Sequence, residues 1–146
     1  MSKRILWLDN DSAYLYPFVE ALEDEGYETK VVESLTEAER LLKSARYDLM
    51  IIDAMIPTLG VEEEKRYEPR QTDLGYKTGL LFYLLNKVSL EKAGTRVMVM
   101  TVRLDRAIMD EFIKAGLPKE SYATKYEMSD PTRFLNTIQA ALAKTE

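Results

Sequence analysis

Short apolar runs alternate along the chain with apolar residues spaced three and four apart. The runs RILWL (4–8), TKVV (29–32), DLMII (48–52), VMVMT (97–101) and SYAT (121–124) predict strands, and DLMII is apolar enough to be covered on both faces. Between them lie helical stripes. Leu15, Phe18, Val19 and Leu22 form the first, closed by Gly26, and Pro17 inside it predicts a kink or a late start. Ser34 opens a capping box with Glu37, followed by Leu35, Ala38, Leu42 and Ala45 on one face. Leu81, Leu84, Leu85 and Val88 define a third helix before Gly94, and Ile108, Met109, Phe112 and Ile113 a fourth before Gly116. The fifth has Asp130 as N-cap, Pro131 at its first position, and Leu135, Ile138 and Leu142 inward. Strands alternating with helices predict an α/β domain with a parallel sheet and helices on both faces, because parallel neighbours need crossover connections. Residues 1–146 read as one domain, and only the connection at 54–77 exceeds the usual length of about 2–6 residues.

Composition narrows the chemistry. The 146 residues are 46% hydrophobic and 31% charged, with no run long enough to span a membrane and only ILWL between Arg4 and Asp9, so a soluble, cytoplasmic protein without a leader is expected. The absence of cysteine and histidine excludes disulfides, thiolate or imidazole catalysis, and most zinc sites. A net charge of −5 argues against direct DNA binding. Carboxylates, hydroxyls, lysines and a hard metal ion remain.

Ligands of open parallel sheets bind beyond the carboxyl ends of the strands. The first predicted strand ends in Asp9-Asn10-Asp11, the third in Asp53, the fourth in Thr101 and the fifth in Lys125. Singly, each has a plain explanation: Asp11 caps a helix, Asp53 precedes a turn, Thr101 fills a strand and Lys125 is solvated. Together they suit phosphoryl transfer. Carboxylates can hold Mg²⁺, one can attack phosphorus, and lysine and hydroxyl can meet the phosphoryl oxygens.

With ILWLDND (5–11), DLMIIDAMIP (48–57), VMVMTVR (97–103) and SYATK (121–125), the chain resembles the response-regulator receiver domain of two-component signalling. The resemblance implies a flavodoxin-like (CheY-like), doubly wound, five-stranded parallel sheet of order 2-1-3-4-5. It places the phosphoacceptor at Asp53, four residues before Pro57, with Thr101 and Lys125 as its catalytic partners. Thr101 and Tyr122 become the switch residues, Tyr122 turning inward on activation. Mg²⁺ would be held by Asp9, Asn10, Asp53 and the Met55 carbonyl, with Asp11 as an alternative ligand. Met55 and Arg103 would flank the attacking water and slow hydrolysis. Asn10 stands where the family has a second acid, so a weaker field on Mg²⁺ is implied. Tyr126 stands where the family has proline, so a trans bond is expected there.

The implied partners are a sensor histidine kinase or phosphotransfer protein and a downstream protein target, with a homodimer face on the fourth helix, fifth strand and fifth helix. That face carries Asp105, Arg106, Asp110, Glu111 and Lys114, which read equally as solvated surface. Three other readings are weighed. One is a receiver-like interaction module that no longer takes phosphate. Another is a haloacid-dehalogenase-like phosphatase, with Asp9 as nucleophile and Asp11 as general acid. The third, a flavodoxin-like electron carrier, lacks a glycine in LDNDSAYLY to cradle phosphate. The insertion at 58–77 is expected to order over the active-site edge and select a partner rather than join the core. Within it Glu62 to Tyr67 form a helical turn, Glu62 pairs with Arg66, Tyr67 and Tyr76 serve as anchors, and Gly60 and Gly75 as hinges.

Overall fold

The computed structural model describes residues 2–73, 75–102 and 104–143. Its elements are β1 (Arg4–Leu8), α1 (Ser12–Asp24), β2 (Glu28–Val32), α2 (Leu35–Ser44), β3 (Leu49–Ile52), α3 (Gly60–Arg66), α4 (Pro69–Thr72), α5 (Thr78–Ala93), β4 (Arg96–Thr101), α6 (Arg106–Lys114), β5 (Tyr122–Thr124) and α7 (Pro131–Ala143). All strand pairs are parallel, in the order β2-β1-β3-β4-β5, so the expected topology is the observed one. Side chains alternate across the sheet. Leu6, Leu8, Met50, Ile52 and Val99 meet α2, α5 and α6 on one face. Ile5, Trp7, Leu49, Ile51, Met98 and Met100 meet α1 and α7 on the other.

Several local expectations are corrected. α1 starts at Ser12, capped by Asp11, and runs through Pro17, so the late start does not occur; the helix tolerates the missing N–H and the crowding of the Ala13 carbonyl that proline brings at this position. The Ser34 cap forms, accepting the Glu37 N–H at 3.1 Å, but the Glu37 carboxylate turns to Arg40 instead of closing the box. In α7 the inward residues are Phe134, Ile138 and Ala141, with Leu135 and Leu142 at the margin. The largest departure is α5. Leu84, Leu85 and Val88, expected inside, are about half exposed or more, while Leu80, Phe82, Tyr83 and Leu90 are buried. That helix is apolar nearly all round, so spacing alone cannot choose its inner face. Gly79 chooses it: a Cβ there would lie 2.1 Å from the Asp53 carbonyl oxygen, and the Gly79 N–H donates to Ala54 O at 3.0 Å.

The insertion joins the core, against expectation. Tyr67 is buried among core residues, and its hydroxyl donates to Glu39 of α2 at 3.1 Å. Arg66 pairs with the same Glu39, which also accepts from Asn86 Nδ2 at 3.2 Å, so Arg66 is not the partner of Glu62; Lys65 is, at 3.6 Å. Glu63 accepts the Thr36 N–H at 2.9 Å and the Thr36 hydroxyl at 2.6 Å, placing a carboxylate at the N-terminus of α2. The second half returns beside the β3 loop. There Gly75 and Tyr76 line a cavity of about 290 Å³ with Met55, Ile56 and Pro57, and Lys77 pairs with Glu111 of α6 at 3.1 Å.

Candidate functional site

Four predicted groups meet at the carboxyl edge of the sheet. Leu8 and Ile52 are register partners, so the next residues, Asp9 and Asp53, leave β1 and β3 side by side. Thr101 ends β4, and its carbonyl accepts the Lys125 N–H at 2.7 Å, bringing Lys125 back from β5 toward the carboxylates. Lys125 Nζ lies 2.7 Å from Asp9 Oδ2 and 3.4 Å from Asp53 Oδ2. The other carboxylate oxygens are held by backbone: Asp9 Oδ1 accepts the Asp11 N–H at 2.9 Å, and Asp53 Oδ1 the Met55 N–H at 3.0 Å. Asp9, Asp53, Thr101 and Lys125 are each at most 4% exposed, so this polar cluster is closed off from solvent.

Electrostatics follow from that burial. Two carboxylates share one ammonium, so one negative charge is left over. Burial, with the Asp9 charge beside it, pushes the Asp53 carboxyl up to about 6. Burial works against the charge on Lys125, but hydrogen bonding to Asp9 and the charges of Asp53 and Asp9 outweigh it and hold the ammonium above the ordinary lysine range. The Thr101 and Tyr122 hydroxyls are buried and meet no partner at good hydrogen-bond geometry among the described residues, and Thr101 lies near enough to Asp53 to offset a little of the upward push on its carboxyl.

Of the other predicted residues, Asn10 and Asp11 turn their side chains to solvent. Asp11 Oδ1 accepts the Tyr14 N–H at 3.4 Å. Asp11 therefore serves as the cap of α1 in this arrangement. Among the described residues no group of three or more acidic side chains is gathered for a metal. Asp9 and Asp53 still fit Mg²⁺, which takes one or two protein carboxylates and fills its shell with water. Arg103 lies outside the described residues. The Lys125–Tyr126 bond is trans, and Tyr126 is exposed.

Two contacts at the site escaped sequence reading. The close approach of Gly79 to the Asp53 backbone is one. The other is Tyr14, whose ring centroid lies 5.4 Å from Lys125 Nζ. Its only sequence signal is its place, one turn into α1 after the acidic cluster.

Solved structures with the same architecture include a CheY-like response regulator receiver domain protein from Methanospirillum hungatei JF-1 (22% identity, covering 97% of this chain and 94% of that one, TM-score 0.71). The beryllofluoride-activated NtrC4 receiver domain dimer matches at 23% identity over 95% of both chains, TM-score 0.71. The receiver domain of Francisella response regulator 1452 matches at 19% over 99% and 100%, TM-score 0.72. The fold is that of a response-regulator receiver domain. No protein-family model and no curated protein matches the chain.

Within this receiver fold, Tyr122 packs against α6. It is already inward, 8% exposed, with its ring 5.7 Å from Phe112, which in turn lies 5.8 Å from Tyr83. Burial, with the charges of Asp105 and Asp53, pushes its phenol up to about 12.

Proposed function

We propose that the chain is a phosphoacceptor receiver of a two-component relay, taking a phosphoryl group on Asp53 from the phosphohistidine of a sensor kinase or phosphotransfer protein and signalling by protein contact. The observation that carries the reading is the convergence of Asp53, Asp9, Lys125 and Thr101 at one sheet edge. An Asp53 oxygen attacks phosphorus in line, the P–N bond breaks, and its electron pair stays with the imidazole. At neutral pH Asp53 is mostly ionised, as attack requires, because its pKa of about 6 lies below that pH. Lys125 shifts from the carboxylates to the phosphoryl oxygens, and Thr101 donates its buried hydroxyl. Asp9, Asp53 and the Met55 carbonyl would hold Mg²⁺, with Asn10 supplying a neutral amide oxygen at most. The ion supplies positive charge against the phosphoryl oxygens. Met55 offers no side-chain group to orient water, so the acyl phosphate is long-lived. Output runs through α6, β5 and α7, where Asp110, Glu111 and Lys114 are exposed and a second copy can pair.

One specific observation favours a second reading, an interaction module that takes no phosphate: the Lys125 ammonium already lies between the two buried carboxylates and offsets one of their charges, and Asn10 adds none. Acetyl phosphate with Mg²⁺, followed by mass mapping, separates the readings. Label on Asp53, lost in Asp53→Asn, supports the receiver. Label on Asp9 supports the phosphatase-like reading, although Asp11, its general acid, is spent on capping α1. Absence of label leaves the interaction module.

A further inference from the structure

The site is closed, and something must close it. Asp53 and Lys125 are 2% and 4% exposed, whereas Tyr14 is 44% exposed with its ring over the Lys125 ammonium. Tyr14 also leans on Phe18 at 5.8 Å, and Phe18 packs against Trp7 and Phe134 in the core, so the ring is supported by the core. Its backbone N–H is tied to the Asp11 cap. A cation over an aromatic face is held by the ring quadrupole, and the contact strengthens as water is excluded. We propose that Tyr14 is a positioning residue that seats Lys125 against Asp9 and Asp53 and thereby gates access of the phosphodonor to Asp53. The gate rests on the phosphoacceptor reading; the seat does not. A donor enters only when the ring swings outward, which releases the ammonium at the moment the phosphoryl oxygens arrive. Tyr14 thus sets how readily small donors, against a docked protein donor, reach the carboxylate.

Two variants and two readouts test this. Tyr14→Phe keeps the ring; Tyr14→Leu keeps apolar bulk on Phe18 but removes the π face. Heteronuclear NMR should show the Lys125 Cε protons shifted upfield by the ring in the unaltered protein and in Tyr14→Phe, and unshifted in Tyr14→Leu. Acetyl phosphate labelling of Asp53 should be about tenfold faster in Tyr14→Leu, within the reach of a partly buried cation–π contact, and unchanged in Tyr14→Phe. An unshifted Lys125 in the unaltered protein overturns the seat. Labelling of Tyr14→Leu at or below the original rate overturns the gate. If no variant is labelled, the phosphoacceptor reading and the gate fall together, and the NMR shift alone decides the seat.

Discussion

Replacing Gly79 by alanine sets two opposed effects against each other. Gly79 is the second residue of α5, so the preference of helix interiors for alanine over glycine, about 1 kcal/mol, is the most that propensity can add there. The structure reverses the sign. The new Cβ would sit 2.1 Å from Asp53 O, 2.8 Å from Ala54 Cα and 2.9 Å from Asp53 C, all backbone atoms of the loop that carries the site. No side chain can yield; α5 or the loop must move. Overpacking of this kind costs about 1–3 kcal/mol, and movement away from the loop weakens the Gly79–Ala54 hydrogen bond, worth about 1 kcal/mol more. The net expectation is destabilisation by about 2 kcal/mol once propensity is subtracted. Urea unfolding followed by fluorescence of Trp7, fully buried and the only tryptophan, reads this as a midpoint lowered by about 1 M at a slope of about 2 kcal/mol/M. Ser89→Ala, on the exposed face of the same helix, is the control and should be neutral or slightly stabilising. A Gly79→Ala protein as stable as the original, or more so, would refute the close approach and with it the account of how α5 chooses its inner face.

Asp53 has a folded pKa of about 6 against 3.8 for a free carboxyl, so its contribution is intact below about pH 4 and is lost as pH rises through 6. Asp53→Asn should therefore be more stable than the original by about 1–3 kcal/mol at pH 7–8, with the gap closing below pH 4; a gap that widens in acid would contradict this. Lys125→Met leaves two buried carboxylates without their cation and should cost about 3–5 kcal/mol at pH 7, less at pH 5 where a proton can replace the ammonium; equal losses at both pH values in urea titrations would count against the shared ion pair. Tyr67→Phe should cost about 1 kcal/mol by removing one donor from Glu39, and Tyr67→Ala about 3–5 kcal/mol by emptying a core position. Deleting residues 61–73 should destabilise at least as much as Tyr67→Ala, and a deletion with unchanged unfolding would restore the view of a loop independent of the core.

Much of the fold was legible because β1, β3 and β4 are short, nearly uninterrupted apolar runs. Leu49–Ile52 is buried on both faces, which only a sandwiched parallel strand requires. The site was legible for a related reason. Asp9, Asp53, Thr101 and Lys125 stand where apolar runs stop, and in a parallel sheet all such ends lie on one edge. Their burial was not legible. A lysine after a weak strand reads as solvated, and only the return of its backbone to Thr101 O carries it inward. The α5 stripe failed for the opposite reason: it offered two apolar faces, and a contact with a distant backbone selected between them.

The insertion shows where local reading ends. Glu62, Glu63 and Glu64 form a run that local physics treats as one solvated acidic face, yet Glu63 alone is buried. What separates it from its neighbours is the N-terminus of α2. There the Thr36 N–H and hydroxyl need an acceptor, and Glu63 Oε2 answers both while its Oε1 takes the Leu59 N–H at 2.7 Å. The same carboxylate thus ties the start of α3 to the start of α2. Four residues on, Tyr67 falls on the same side and enters the core beside Glu39; burial and that carboxylate raise its phenol well above the ordinary tyrosine range. Arg66 supplies the cation that makes a buried Glu39 tolerable. Apart from Leu59 and Tyr67 these residues are polar or charged, so a hydrophobicity pattern ranks the segment as surface. The docking is specified by matched hydrogen bonds between two segments 27 residues apart, and it becomes visible only when both are placed.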